Sequence, residues 1–108
     1  MIVDDHEIVR RGIAEVLESH DDLTVVAEAA TVAEATRRMA LVRPELLLVD
    51  LQLPDGTGLD VIAAASTQVP EARSVVLTSF GDDDAVAAAL EAGAHAFVLK
   101  SVRGEIGT

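Results

Sequence analysis

The chain predicts an α/β fold, a parallel sheet of five strands wound by helices on both faces. Three observations lead there. Short apolar runs recur along the chain, bounded by loops. These runs are close to continuously apolar, as strands buried on both faces are. Helical patterns separate them in strict alternation, which implies a layered sheet with right-handed crossovers.

The elements follow in order. Met1–Val3 is a short first strand. His6 to about Ser19 reads as a helix, with Ile8, Val9, Ile13, Val16 and Leu17 on one stripe. Leu23–Glu28 is a second strand with some alternation. Thr31-Val32-Ala33-Glu34 has capping-box spacing and opens a helix to about Val42. Pro44 ends that helix and leads into the strand Leu46–Asp50. Pro54-Asp55-Gly56-Thr57-Gly58 is a turn cluster. Thr57-x-x-Asp60 then opens a helix through about Ser66. Pro70 lies in a connection, and Arg73–Thr78 is the fourth strand. Asp82-Asp83-Asp84 starts a helix that Gly93 closes as a left-handed cap. Ala96–Lys100 is the fifth strand, and Ser101–Thr108 is too short for a confident helix.

Length and composition exclude several classes. With 108 residues the chain is one domain. There is no Cys, hence no disulfide framework and no thiolate metal site, which suits a cytoplasmic protein. No apolar run approaches the ~20 residues that span a bilayer. The formal net charge is -11, from 19 acidic and 8 basic residues, so the chain repels phosphate backbones. Trp and Tyr are absent and only Phe80 and Phe97 carry rings, which leaves little for base stacking.

Four strands end on residues suited to a phosphoryl group: Asp4-Asp5, Asp50, Thr78-Ser79 and Lys100, the only lysine. Ligands of open parallel sheets bind at the carboxyl ends of the strands. Phosphoryl transfer needs an in-line nucleophile, a divalent metal to offset charge, and cationic or hydroxyl groups on the phosphoryl oxygens. A carboxylate serves as nucleophile by forming an acyl phosphate. Asp50 is the candidate, since it ends the most apolar strand. Crowded carboxylates resist ionising together unless a cation joins them. An oxygen-only donor set favours Mg²⁺, or Mn²⁺, over zinc. Lys100 would pair one phosphoryl oxygen and Thr78 would donate its hydroxyl to another. A lone strand-end Asp is usually a cap; four complementary strand ends favour a site.

Ile2-Val3-Asp4-Asp5-His6, Val49-Asp50-Leu51-Gln52-Leu53-Pro54-Asp55-Gly56, Leu77-Thr78-Ser79 and Ala92 through Lys100 resemble the receiver domain of bacterial two-component response regulators. Asp-Asp-His and Leu-Pro-Asp-Gly-x-Gly resemble the NarL/FixJ subfamily with a LuxR-type output, and within it the dormancy-regulator branch. The resemblance covers nearly the whole chain. It implies a flavodoxin-like strand order 2-1-3-4-5, with residues 1–100 as receiver and 101–108 as a truncated tail or linker toward an absent C-terminal output domain. It makes Asp50 the phosphoacceptor for a sensor histidine kinase. Asp4 and Asp5 hold Mg²⁺ with Asp50 and the Gln52 backbone carbonyl. Thr78 and Phe97 match the switch pair, Lys100 the family lysine, and Gln52 and Phe80 the positions that tune dephosphorylation. From the residues alone, Phe97 is equally a core ring. The implied protein is a signalling switch rather than a turnover enzyme, reaching DNA only through the absent domain and having no contact with membranes.

Other features read as structural. His6, His20 and His95 have no metal-ligand spacing and read as surface or packing residues. Arg10-Arg11 and Arg37-Arg38 read as solvated helix faces. Asp55-Gly56-Thr57 is similar to the loop of haloacid-dehalogenase-type phosphatases, but the nucleophile position of that loop is Leu53 here. Two departures from the family stand out. Only three residues precede Asp4, and Ser101 follows Lys100 where a proline is usual. A cis Lys100–Ser101 bond would cost ~3 kcal/mol, so it is not assumed. A short or missing fifth helix would leave apolar surface uncovered, as expected for a fragment that forms homodimers. Two alternatives remain: a phosphorylation-independent interaction module and a small phosphatase, the latter disfavoured by lack of a separate general acid or base.

Overall fold

The computed structural model describes residues 1–78, 83–100 and 106–107, with side chains through Val98. The elements are β1 (Ile2–Val3), α1 (Glu7–Glu18), β2 (Glu28–Ala29), α2 (Val32–Val42), β3 (Leu46–Asp50), β4 (Gln52–Leu53), β5 (Gly56–Thr57), α3 (Gly58–Gln68), β6 (Arg73–Thr78), α4 (Asp83–Glu91), β7 (Ala96–Lys100) and β8 (Ile106–Gly107). The main sheet has the order β2-β1-β3-β6-β7-β8. Its first five strands are parallel, which is the expected 2-1-3-4-5 order, and β8 is antiparallel to β7.

Alternate residues of the central strands feed opposite faces, as the pleat requires. Val3, Leu47 and Val49 join Ala35 and Met39 of α2 and Val61 and Ala65 of α3. Val76, on that same face, packs with Ile62 of α3 and Ala89 of α4. Ile2, Leu48 and Leu77 point the other way, onto Ile13 of α1. Helices therefore cover both faces, as the sequence predicts.

Helix boundaries are set by local chemistry. At the expected box Thr31 Oγ1 accepts the Glu34 N–H (3.0 Å), but the return bond from Glu34 Oε1 goes to the Ala30 N–H (3.1 Å), one residue before the cap. Asp60 Oδ2 accepts the Thr57 N–H at the start of α3 (3.1 Å). Gly93 has φ +119°, which only glycine adopts freely, and Ala94 N donates to Ala89 O (3.0 Å) to finish α4. His95 and Ser74 bracket the adjacent starts of β6 and β7. His95 N donates to Ser74 O (2.8 Å) and Ser74 N donates to His95 Nδ1 (3.1 Å).

Several expectations need correction. The strand predicted over Leu23–Glu28 forms only at Glu28–Ala29. Ile2 pairs with Glu28 as the first residue of β1, so Leu23–Val26 lie beyond its ladder. The turn cluster after Asp50 contains a two-stranded hairpin, β4–β5, paired Gln52↔Thr57 and Leu53↔Gly56. On α1 the buried residue is Ile13; Ile8 is 88% exposed and Val16 44%. Ile8 lies five residues before Ile13, about 140° around the helix, whereas Val9, four residues before it, packs on the same core. Arg10 is not on a solvated face; its side chain is only 17% exposed. In the tail, Ile106–Gly107 is a strand against Leu99–Lys100. The expectations for the Lys100–Ser101 bond and for a fifth helix fall on residues outside those described, as does Asp82.

Truncating Ile13 should cost about 2–5 kcal/mol, because it is fully buried between α1 and the sheet. Ile8→Ala should change stability by about 0.5 kcal/mol or less. Urea unfolding followed by circular dichroism measures both. Equal losses would contradict this placement of the helix.

Candidate functional site

Parallel register gathers the predicted residues at one edge. Val3 pairs with Val49, so Asp4 and Asp50 are the next residues on adjacent strands. Asp50 pairs with Leu77, so Thr78 lies one position further on the neighbouring strand. Thr78 pairs with Leu99, which puts Lys100 one position beyond it at the end of β7. Asp4 and Asp50 are level, and Thr78 and then Lys100 each stand one residue further along the sheet's carboxyl end.

Asp4 is fully buried, and Asp50 and Thr78 are nearly so. A buried carboxylate is costly unless paired or hydrogen-bonded. Asp4 Oδ1 accepts the His6 N–H (2.9 Å) and lies 3.2 Å from His6 Nδ1. His6 Nδ1 is also 3.2 Å from Asp5 Oδ1 and 4.0 Å from Asp50 Oδ2. Ligand atoms from Asp4, Asp5, His6 and Asp50 all lie within 4.8 Å of one another. Sequence spacing had set His6 aside; its position two residues past Asp4, at the N-cap of α1, brings the ring over the pocket.

The backbone around these carboxylates is braced. Arg10 Nη1 donates to the Asp4 carbonyl (2.6 Å), and Arg10 Nε pairs with Glu28 Oε1 (2.9 Å). Arg38 donates to the Glu28 carbonyl and pairs with Glu34 Oε2 (3.0 Å). On the other side, Asp55 receives the Val32 N–H (2.7 Å) and the Ala33 N–H (3.1 Å). That ties the loop after Asp50 to the N-terminus of α2, where the helix dipole favours an anion. Gln52 N donates to Asp50 Oδ1 (3.4 Å), placing Gln52 directly beside that carboxylate. Gly58 N donates to Leu51 O (2.9 Å), and a Cβ on Gly58 would sit 2.6 Å from the Asp50 carbonyl oxygen. The close approach of α3 to β3 therefore requires glycine.

A family model for the response regulator receiver domain matches residues 1–106. The chain belongs to that family. Among its relatives is the DNA-binding transcriptional activator DevR/DosR of Mycobacterium tuberculosis, 41% identical over 103 residues, which are 95% of this chain and 48% of that protein. The transcriptional regulatory protein YhcZ of Bacillus subtilis is 42% identical over 105 residues, covering 97% and 49%. A crystal structure of a LuxR-family two-component response regulator from Aurantimonas sp. SI85-9A1 superposes with a TM-score of 0.87 at 35% identity, covering 96% and 74%. This receiver chain spans about half the length of the curated relatives it matches.

Of the residues singled out from sequence, the receiver fold brings Asp4, Asp5 and Asp50 together and sets Gln52 and Thr78 beside them. Phe97 is 49% exposed on β7, so it is not a core ring. The Lys100 backbone reaches the same edge; its side chain, and Phe80, lie outside the described residues. Sequence reasoning missed His6, Arg10 and Asp55. The first two sit two and six residues after Asp4, a spacing whose meaning depends on where α1 begins. A cleft of about 440 Å³ lined by Met1, Leu23, Val25 and Leu46 lies at the opposite, amino end of the strands, away from this chemistry.

The two backbone N–H groups hold the Asp55 carboxyl below its ordinary 3.8. A lowered folded-state value stabilises the fold above that pH, and the gain is lost as pH falls through the folded value. Asp55→Ala should therefore lower Tm at neutral pH, and the difference should shrink in acid below 3.8. Thermal melts at the two conditions test it, and a pH-independent gap would contradict the cap.

Proposed function

We propose that the chain is a phosphorylation-dependent switch that accepts a phosphoryl group on Asp50. The observation that supports it best is the register. It sets a carboxylate at the end of a buried central strand, between Asp4 on one side and Thr78 on the other. An Asp50 oxygen attacks phosphorus of a phosphohistidine on a sensor kinase; the P–N bond breaks as the P–O bond forms, and imidazole leaves. Hydrolysis of the acyl phosphate returns the carboxylate.

The donor set fits a divalent cation. Asp4, Asp5 and Asp50 would supply hard oxygens, and by the family resemblance the Gln52 backbone carbonyl would be a further donor. When bound, Mg²⁺ or Mn²⁺ supplies charge neutralisation for carboxylates and phosphoryl oxygens alike. Asp50 remains ionised as nucleophile, and Thr78 donates its hydroxyl to a phosphoryl oxygen. Lys100 places a positive point charge there. Thr78 and Phe97 together relay the state, the hydroxyl turning to the phosphoryl group and the ring moving inward from its half-exposed position. Gln52 and Phe80 set the rate of phosphoryl loss.

The output is control of transcription through a C-terminal DNA-binding domain beyond these residues, in the cytoplasm. DevR/DosR, a relative by sequence, is itself a DNA-binding transcriptional activator. Among the described residues, no helix is long and apolar enough to cross a membrane. Exposed Leu90 and Phe97 offer apolar surface for a homodimer. Sedimentation of the chain at high concentration should show self-association, and a clean monomer would count against it.

Incubation with acetyl phosphate and Mg²⁺, followed by intact mass, should show one phosphoryl adduct. Asp50→Asn should abolish it. An adduct that survives Asp50→Asn, or none in the unaltered chain, would sink the proposal. Thr78→Ala should retain the adduct while losing its conformational consequence, read as amide exchange over β6 and β7.

A further inference from the structure

We propose that His6 is itself a ligand of the pocket's cation, so that the site takes Mn²⁺ or a similar first-row transition ion in preference to Mg²⁺. This rests on reading the pocket as a divalent-cation site. The argument is one of spacing and donor type.

Ligands at about 2.1 Å on adjacent octahedral vertices lie about 3.0 Å apart, and opposite ones about 4.2 Å. His6 Nδ1 is 3.2 Å from Asp4 Oδ1 and 3.2 Å from Asp5 Oδ1. Those are the edges of a coordination shell. Its distance to Asp50 Oδ2 is 4.0 Å, and ligand atoms of all four residues lie within 4.8 Å of one another, a spacing one shared ion could draw together. The ring is held there from the backbone: His6 caps α1 in an extended conformation, and its N–H is bound to Asp4 Oδ1 (2.9 Å). Its side chain makes no capping bond to the helix, so Nδ1 is committed only to the carboxylates.

Donor type then decides the metal. Three carboxylates alone suit Mg²⁺, which is small, hard and reluctant to give up water. An imidazole nitrogen adds little for Mg²⁺ but strengthens binding along the series from Mn²⁺ to Cu²⁺.

Calorimetric titration of the chain with Mn²⁺ and with Mg²⁺ should give a Mn²⁺/Mg²⁺ affinity ratio that falls by about tenfold in His6→Ala, with Mg²⁺ affinity nearly unchanged. Pulsed electron paramagnetic resonance of the Mn²⁺-loaded protein should show coupling to a histidine nitrogen. That coupling should vanish in His6→Ala and persist in His20→Ala and His95→Ala. Metal binding with no nitrogen coupling, or with an unchanged ratio, overturns the role of His6 while leaving the Asp50 switch standing. If neither ion binds and acetyl phosphate gives no adduct, the cation-site reading fails and this inference with it.

Discussion

Everything at this site depends on holding two carboxylates, Asp4 and Asp50, side by side at the ends of buried parallel strands. Their repulsion in a poorly hydrated place is unfavourable to the fold itself. The sheet nonetheless enforces it, because Val3 and Val49 are fully buried and paired, and a one-residue slip would turn each strand's core residues to the wrong face. Register is therefore fixed by the core, and the site inherits that precision. On the proposed function, a cation would offset the charge that this register gathers.

The polar groups around the pocket form a brace rather than a scatter of surface pairs. From Asp4 the path runs through Arg10 to Glu28, then Arg38 and Glu34 at the start of α2. Asp55 approaches the same helix start from the loop after Asp50. The two acidic segments are thus linked through α2 as well as through the sheet. Exposed ion pairs of this kind contribute little stability singly. Their effect here is positional: several act on backbone carbonyls and amides, which have no rotamer freedom of their own. The partial burial of Arg10 matters for the same reason, since its guanidinium serves two partners in one fixed geometry.

Much of this was legible in the sequence. Strands β3, β6 and β7 match their predicted limits because long apolar runs ending in Asp50, Thr78 and Lys100 are read the same way by any local rule. Capping chemistry located α2 and α3. The failures are tertiary. Leu23–Val26 has strand-like residues but no strand beside it, and pairing rather than propensity makes a strand. Ile8 lies about 140° around α1 from Ile13, on the solvent side of the stripe that Val9 and Ile13 define. His6 carries no motif; only the turn between β1 and α1 carries its ring above the aspartates. Arg10 and Asp55 act on main-chain atoms, and nothing in a side-chain pattern announces a main-chain partner.

The site also separates a rigid part from a responsive part. Asp50 and Thr78 end strands buried on both faces, and Asp4 directly follows another, so their relative positions are fixed. Phe97, by contrast, is half exposed on β7 and has room to repack. On the proposed function, that difference is what lets a local charge change become a change of surface. A phosphoryl group on Asp50 adds negative charge and acceptor oxygens where the scaffold cannot yield. The response must then come from groups that still have a choice of position, the Thr78 hydroxyl and the ring two residues before Leu99. A ligand shifts a two-state element only by the difference in its interactions with the two states. Here the rigid carboxylate row makes that difference large by refusing to relax around the new charge, and the exposed ring on the neighbouring strand is where the resulting free energy is spent.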